Sequence, residues 1–204
     1  MSPKDAALGG NLPSSMLVDA ITKLCSSMRA YSCLQRMKQA ADEKQVDMDI
    51  KLILNPWNES MDPQTEFRVF VPSPAAGRVR HPTANDFRIS SISQYAWQRP
   101  FKAPFNLDVK EVKDKVYIGS LYVLMTLVAH IAMQLDTKIK NALVDCGFTF
   151  DVLLKEDSGV QLVEIKPLGA MSSCGACLIY WILDVKVLYD LDPTQFAVTV
   201  EGEP

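Results

Sequence analysis

Two carboxylates and a lysine between residues 148 and 169 have the types and spacing to bind a cation or a phosphate. This stretch contains two runs rich in β-branched and aromatic residues, joined by a polar turn that ends in glycine. Such a pattern is typical of a β-hairpin. If residues 156–159 form the loop, Asp151 lies directly opposite Glu164, and Lys166 follows two residues later on the same face.

The two acids of this predicted pair repel each other across the hairpin. The Cβ atoms of directly opposite residues lie about 5 Å apart, and like charges at that distance are destabilising. A cation must therefore neutralise them. Mg²⁺ shared with substrate phosphates is one candidate, because magnesium prefers oxygen ligands. The ammonium of Lys166 is a second candidate, and a third interpretation is a solvated hairpin face whose charges point into water.

The same register predicts that the other face of the hairpin is apolar. It pairs Phe150 with Ile165 and Val152 with Val163. The predicted apolar surface consists of Phe148, Phe150, Val152, Leu154, Val163 and Ile165. Because side chains alternate along a strand, the charged residues are left together on the opposite face.

An arginine in an upstream strand offers a further charged group. Residues 66–71 alternate, with one side made of Glu66, Arg68 and Phe70 and the other of Phe67, Val69 and Val71. An arginine among large apolar neighbours either extends to the surface or binds an anion. The pattern leaves both possibilities open for Arg68.

The elements that must position these residues are predicted from periodicity and turn residues. The longest helix is predicted over residues 108–141, with a buried stripe of Val112, Val116, Leu121, Leu124, Leu127, Val128, Ile131 and Leu135. Further strands are predicted over residues 49–54, 87–95 and 196–200. Residues 178–191 are too uniformly apolar for periodicity to choose between a helix and an extended chain. The sequence therefore predicts an α+β fold in which helices pack on an antiparallel sheet.

Composition excludes some classes of protein. The chain has 204 residues, of which 48% are hydrophobic and 22% charged, as is ordinary for a globular protein. A net charge of −3 without a basic block argues against nucleic acid as the main partner. The apolar region 116–135 includes several polar residues, which favours a buried helix over a membrane partner or span. Because no signal-peptide pattern is recognised, a cytoplasmic location with reduced thiols is expected.

Two of the five cysteines, Cys174 and Cys177, have the CxxC spacing of metal and redox sites. A zinc site needs more ligands, whereas the sequence has no second CxxC and only two separate histidines, His81 and His130. A redox pair commonly lies at the start of a helix, and this pair precedes a helical run. Structural thiols are favoured, with redox and metal roles left open.

Five short motifs follow one another along the chain. They are Ser-Pro-Lys-Asp-Ala at residues 2–6, Glu-Phe-Arg-Val-Phe-Val at 66–71, Ile-Ser-Gln-Tyr at 92–95, Phe-Asp-Val at 150–152 and Glu-Ile-Lys-Pro-Leu-Gly at 164–169. Their order and spacing resemble the cell-division-cycle protein 123 family, over most of the chain from Ser2 to about Tyr189. The resemblance implies one ATP-grasp-like domain over residues 1–204. Residues 1–48 would be the remnant of its N-terminal lobe, and residues 49–204 the main sheet-and-helix lobe.

The resemblance also implies a function. Members of this family bind ATP with Mg²⁺ and promote assembly of eukaryotic translation initiation factor two through its gamma subunit. The nucleotide-binding residues implied by the motifs are Lys4, Arg68, Asp151, Glu164 and Lys166, and the metal ligands are Asp151 and Glu164. Arg68 would contact either phosphate or the acidic end of the partner. No catalytic residue is implied.

Four departures from the family pattern bear on this expectation. Lys166 stands where the family has a metal-binding asparagine, and a charged lysine has no lone pair to donate. Glu164 takes the place of an aspartate and is one methylene longer. Asn55 stands where the family usually has an arginine, and little sequence precedes the Pro-Lys motif, so the nucleotide-side lobe is expected to be truncated.

Three hypotheses result. The first is an ATP- and Mg²⁺-binding assembly factor. The second is a degenerate, non-catalytic binding module in which Lys166 replaces the metal as the counter-ion of Asp151 and Glu164. The third is an ATP-grasp ligase that forms an acyl phosphate.

Overall fold

The computed structural model describes residues 22, 27–44, 61–74, 83–134, 136–157, 159–169 and 178–199. The chain divides into two compact units, Met1–Asn58 and Glu59–Pro204. In the first unit the described part is mainly one helix, α1, Met28–Lys44. The hydroxyl of Ser27 accepts a hydrogen bond from the Ala30 amide near the start of this helix. The strand expected over residues 49–54 lies outside the described residues.

The second unit is a mixed α+β structure built around a five-stranded sheet. Its elements in chain order are β1 Glu66–Val71, β2 Ser91–Gln94, α2 Val109–Gln134, α3 Thr137–Cys146, β3 Phe148–Leu154, β4 Val160–Pro167, α4 Val185–Leu188 and β5 Gln195–Ala197. The strands lie in the order β4-β3-β1-β2-β5. The α+β prediction is confirmed. The prediction of a wholly antiparallel sheet is wrong, because β5 enters beside β2 in the same direction.

The main core lies between the sheet and helix α2. On β1, Phe67, Val69 and Val71 are fully buried on this side. The buried residues of α2 are Val112, Val116, Leu124 and Ile131, with Leu121, Leu127 and Val128 partly buried beside them. The predicted stripe is therefore confirmed in the described part of the helix. Leu135 lies outside the described residues.

Helix α2 is also apolar on the side that faces away from the sheet. Its outward side chains include Ile118, Tyr122, Met125 and Met133, which are 54%, 68%, 68% and 81% exposed. Among the described residues, Val109–Met133 is the one helix long and apolar enough to cross a membrane by length and composition. Core helices of soluble proteins satisfy the same criterion. The helix thus combines a buried apolar stripe with an exposed one.

The long helix expected over residues 108–141 is in fact two helices. Helix α2 ends at Gln134, and α3 begins at Thr137. The carboxylate of Asp136 accepts a hydrogen bond of 2.8 Å from the Lys138 amide and so caps the start of α3. The prediction was wrong here because the capping aspartate lies within an otherwise continuous helical pattern.

Gly119 lets helix α2 approach the sheet closely. A Cβ atom added at Gly119 would lie 2.2 Å from Cγ2 of Val160 in β4. We expect Gly119→Ala to lower the free energy of unfolding by about 1–2 kcal/mol, because overpacking outweighs the helix propensity of about 1 kcal/mol gained by alanine. Urea unfolding followed by circular dichroism measures this change. A Val160→Ala background removes Cγ2 but keeps Cβ, which lies 2.5 Å from the added atom. The loss should therefore be smaller in that background without vanishing, and an undiminished loss there would contradict the steric explanation.

The register of the β3–β4 hairpin agrees with the prediction in the half that contains the charged residues. Asp151 pairs with Glu164, as predicted. Val152 pairs with Leu162 and not with Val163, because the register shifts between Asp151 and Val152. Such a shift is a β-bulge, with one extra residue in β4.

The bulge also corrects the predicted loop and apolar surface. The last pair of the ladder is Leu154 with Val160, so the loop has one residue more than residues 156–159. The extra residue in β4 compensates for the longer loop, which is why the acidic pair still forms. Ile165 faces Phe150 as predicted, but it is 48% exposed on the edge strand rather than buried.

Other predicted elements are shorter than expected. Residues 87–95 form a strand only over Ser91–Gln94, although the Ser90 amide already donates to the Phe70 carbonyl at 2.9 Å. The last strand is Gln195–Ala197 rather than residues 196–200. Residues 178–191, for which periodicity was undecided, form turns followed by the short helix α4.

Candidate functional site: a buried ion cluster

The charged residues lie on the face of the sheet that does not pack against α2. In β1, Phe67 and Val69 point into the main core, so Arg68 between them points to the other face. Arg68 pairs with Asp151 in β3, and Asp151 pairs with Glu164 in β4. These three side chains therefore form a row across the sheet.

Arg68 binds Asp151 through two parallel hydrogen bonds. The Nε atom of Arg68 lies 2.7 Å from Oδ1 of Asp151, and Nη2 lies 2.8 Å from Oδ2. The side chains are only 3% and 1% exposed. A bidentate guanidinium–carboxylate pair is stronger and more directional than a single hydrogen bond. Of the two possibilities left open for Arg68, the structure supports anion binding, and the anion belongs to the chain itself.

Lys166 neutralises both acids of the predicted couple. Its Nζ atom lies 3.2 Å from Oδ2 of Asp151 and also hydrogen-bonds to Oε1 of Glu164. The lysine side chain is nearly buried, whereas Glu164 is about one-third exposed. An ammonium has three donors, so one lysine can bridge two carboxylates. We call Arg68, Asp151, Glu164 and Lys166 the ion cluster.

The ion cluster keeps Asp151 ionised. Burial is the strongest single influence and by itself raises the pKa of Asp151. The hydrogen bonds and charge of Arg68, followed by the charge of Lys166, together lower the pKa by more. The net result is a pKa below the ordinary value of 3.8.

Two residues of the site were missed by the sequence reasoning. The guanidinium of Arg68 lies 5.1 Å from the centroid of the Tyr95 ring, a cation–π contact that further fixes the arginine. Glu66 is 2% exposed on the same face, two residues before Arg68. The alternation of β1 had already indicated that Glu66 and Arg68 share a face. Tyr95 follows β2, where no periodicity indicates the direction of its side chain.

Three carboxylates of the site could hold a divalent cation by their type and distance. Carboxylate oxygens of Glu66, Asp151 and Glu164 lie within 4.8 Å of one another. Oxygen ligands of this kind suit Mg²⁺. However, Lys166 already binds two of these carboxylates, and Arg68 binds both oxygens of Asp151. The ligand set therefore does not fit a metal while Lys166 keeps its position.

No family model matches the chain, and no curated protein matches its sequence. Membership of the cell-division-cycle protein 123 family therefore stays a prediction that rests on the five motifs. Of the residues implied by those motifs, the structure brings together Arg68, Asp151, Glu164 and Lys166. Lys4 lies outside the described residues, as do Cys174 and Cys177.

The sheet face beside the ion cluster is partly apolar and partly polar. Phe70 packs with Leu168, Ile179 and Leu188, so the segment that contains α4 covers this end of the face. Thr149 lies directly opposite Lys166 on this face. Its hydroxyl is buried and has no hydrogen-bond partner among the described residues.

Proposed function

We propose that this chain is a binding protein of the cell-division-cycle protein 123 type with an ATP-grasp fold. It would assist assembly of eukaryotic translation initiation factor two by binding the gamma subunit in the cytoplasm. The proposal is supported by one observation above all. The charged residues drawn from the motifs at 66–71, 150–152 and 164–169 converge in one buried ion cluster.

Nucleotide binding through Mg²⁺ is the first form of this proposal. Asp151 and Glu164 would hold the metal, with Glu66 close enough to add a third carboxylate. Lys4 and Arg68 would serve the phosphates. This form requires Lys166 to leave the two acids and Arg68 to release Asp151, because both cations already occupy the carboxylate oxygens.

A metal-free binding module is the second form, and the geometry supports it better. Lys166 bridges Asp151 and Glu164 and supplies the positive charge that a metal would bring. A nearly buried ion cluster of this kind fixes a geometry more than it adds stability. We therefore favour the metal-free form, in which the chain would act by binding and any ATP would bind without a metal at these acids.

Replacing Lys166 by asparagine separates the two forms. We expect ATP binding by the wild-type protein to be nearly insensitive to Mg²⁺, because the lysine keeps the metal away. Lys166→Asn removes the ammonium and offers an amide oxygen. Mg²⁺ should then tighten ATP binding by about tenfold or more, which corresponds to about 1.4 kcal/mol. Isothermal titration calorimetry with ATP, in Mg²⁺ and in a chelator, measures the difference.

Lys155→Asn is the matched control, since Lys155 is exposed at the hairpin turn. It should behave like the wild type. Strong Mg²⁺ dependence in the wild type would favour the first form and show that Lys166 does not block the metal. The absence of heat at millimolar ATP from all three folded proteins would remove nucleotide from the proposal. Titration of the purified gamma subunit into the wild-type protein tests the partner separately.

A further inference from the structure

Strand β4 forms one edge of the sheet, and its first half, residues 160–163, has little protection against further pairing. Among the described residues it pairs with β3 alone. Edge strands usually carry charged residues, prolines or bulges that discourage another strand. Residues 160–163 contain no charge and no proline, and the bulge described above is their one protecting feature. The main-chain groups on the outer side of this half-strand can therefore accept a further strand.

An apolar groove runs beside this edge, beneath the outer flank of helix α2. Its cavity has a volume of about 620 Å³. Ile118, Tyr122 and Thr126 line it from the helix, and Val160 and Leu162 line it from β4. The helix side chains that overhang the groove belong to the exposed apolar stripe of α2. The groove thus offers apolar contacts at the place where a sixth strand would lie.

We infer that an extended segment of another polypeptide binds here by adding a strand to the outer edge of β4. Strand addition takes its affinity from main-chain hydrogen bonds and its specificity from pockets for alternate side chains. Apolar side chains at alternate positions of the segment would pack beneath Ile118 and Tyr122. This surface uses the helix side of the sheet, so the inference does not depend on the ion cluster or on nucleotide.

The charges around the groove further define the segment. The groove residues Ile118, Tyr122 and Thr126 of α2 and Val160 and Leu162 of β4 are uncharged. A charged side chain of the bound segment would lose its hydration there without gaining a partner, so the inward positions must be uncharged. At the mouth of the groove, Asp114 is exposed, whereas the neighbouring Lys115 is partly buried and already engaged in the protein. A lysine or arginine at one end of the segment would therefore complement Asp114.

Because α2 lies close to the edge strand, an isolated extended segment fits this edge better than a second copy of this chain, which would bring its own α2. At Gly119 the helix lies directly on Val160, as the 2.2 Å approach of an added Cβ atom shows. Antiparallel pairing of two β4 edges would place the strands about 4.8 Å apart. If residues 160–163 of the two copies paired, the two α2 helices would come close together at Gly119, whereas the axes of packed helices need about 8–10 Å. A segment without its own covering helix avoids this clash.

Selection from a phage-displayed library of random peptides tests the inference on the full chain. Peptides of about ten residues are long enough to form a strand of about six. We expect enriched peptides to have apolar residues at alternate positions. A synthetic copy of an enriched peptide should slow hydrogen exchange of the amides of residues 160–163.

Two charge substitutions on α2 provide a matched comparison. Tyr122 lines the groove and Met125 does not, yet both side chains are 68% exposed. In fluorescence polarisation, Tyr122→Lys should weaken binding of the peptide by about tenfold or more. Met125→Lys should leave it within about twofold of the wild type.

Three results would overturn the inference. One is a selection that enriches no peptide over an unrelated protein. Another is equal binding of the enriched peptides to the Tyr122→Lys and Met125→Lys variants. The third is a dimer of the wild-type protein in sedimentation equilibrium that Tyr122→Lys dissociates, which would assign the groove to a second copy.

Discussion

Replacing Arg68 by methionine is expected to lower the free energy of unfolding by about 3 kcal/mol. Removing one member of a buried ion pair costs about 3–5 kcal/mol, because the remaining charge loses its partner in a poorly solvated place. The lower end applies here, since Lys166 still contacts Asp151 at 3.2 Å. The substitution keeps most of the side-chain volume, so packing contributes little. Urea denaturation at neutral pH, followed by circular dichroism, measures the change.

Arg99→Met is the control for this experiment, because Arg99 is exposed. Its expected effect is within about 0.5 kcal/mol of zero. If Arg68→Met were equally harmless, the bidentate pair with Asp151 would not hold the sheet face together, and the description of the ion cluster would be wrong.

Acidification is expected to destabilise the protein through Asp151. In the unfolded chain this carboxyl takes up a proton near pH 3.8, whereas in the native state its pKa is lower. The stabilising contribution of Asp151 is therefore complete above the unfolded value and is lost as the pH falls through the native one. Between the two values the free energy of unfolding should fall by up to about 1.4 kcal/mol per pH unit from this group.

Comparison with Asp151→Asn isolates that contribution. Urea unfolding between about pH 6 and about pH 2.5 should show a shallower pH dependence for the variant, because it cannot take up this proton. Asp86, whose pKa is also lowered by hydrogen bonds from the Thr83 amide and hydroxyl, is present in both proteins and cancels. Parallel pH profiles for the two proteins would mean that Asp151 titrates in the native state as it does in the unfolded chain.

The acidic couple of the site could be predicted from the sequence because strand alternation has a strict period. Once residues 148–154 and 160–167 are taken as one hairpin, a register that buries Phe150 brings Asp151 opposite Glu164. The bulge could not be predicted, because both registers bury a similar number of apolar side chains. The pairing of Asp151 with Glu164 was predicted correctly only because the bulge compensated for the longer loop.

The roles of Lys166, Glu66 and Tyr95 show where sequence reasoning ends. The sequence could place Lys166 on the acidic face, but a metal and an ammonium satisfy the same electrostatic requirement. The choice between a metal and the ammonium depends on the distances from Nζ to the carboxylates, and these distances are set by the three-dimensional structure. The cation–π contact of Tyr95 depends on how the chain turns after β2. The local sequence pattern does not indicate how the chain turns at that point.

Of the two apolar stripes of helix α2, only the buried one could be predicted from the sequence. The buried stripe of α2 followed from its spacing, because one face must pack on the sheet. Its exposed stripe of Ile118, Tyr122 and Met125 could not be assigned, since a helix that is apolar all round is ordinarily buried on all sides. Which side stays open depends on the tertiary arrangement of α2 and β4.

A crystal structure grown with Mn²⁺ and a non-hydrolysable ATP analogue tests the central claim most directly, because manganese is located by its anomalous scattering. We expect Lys166 to remain bound to Asp151 and Glu164, with no anomalous peak between these carboxylates. A manganese ion bound to both acids, with the lysine displaced toward solvent or phosphate, would contradict the claim that the protein supplies its own cation.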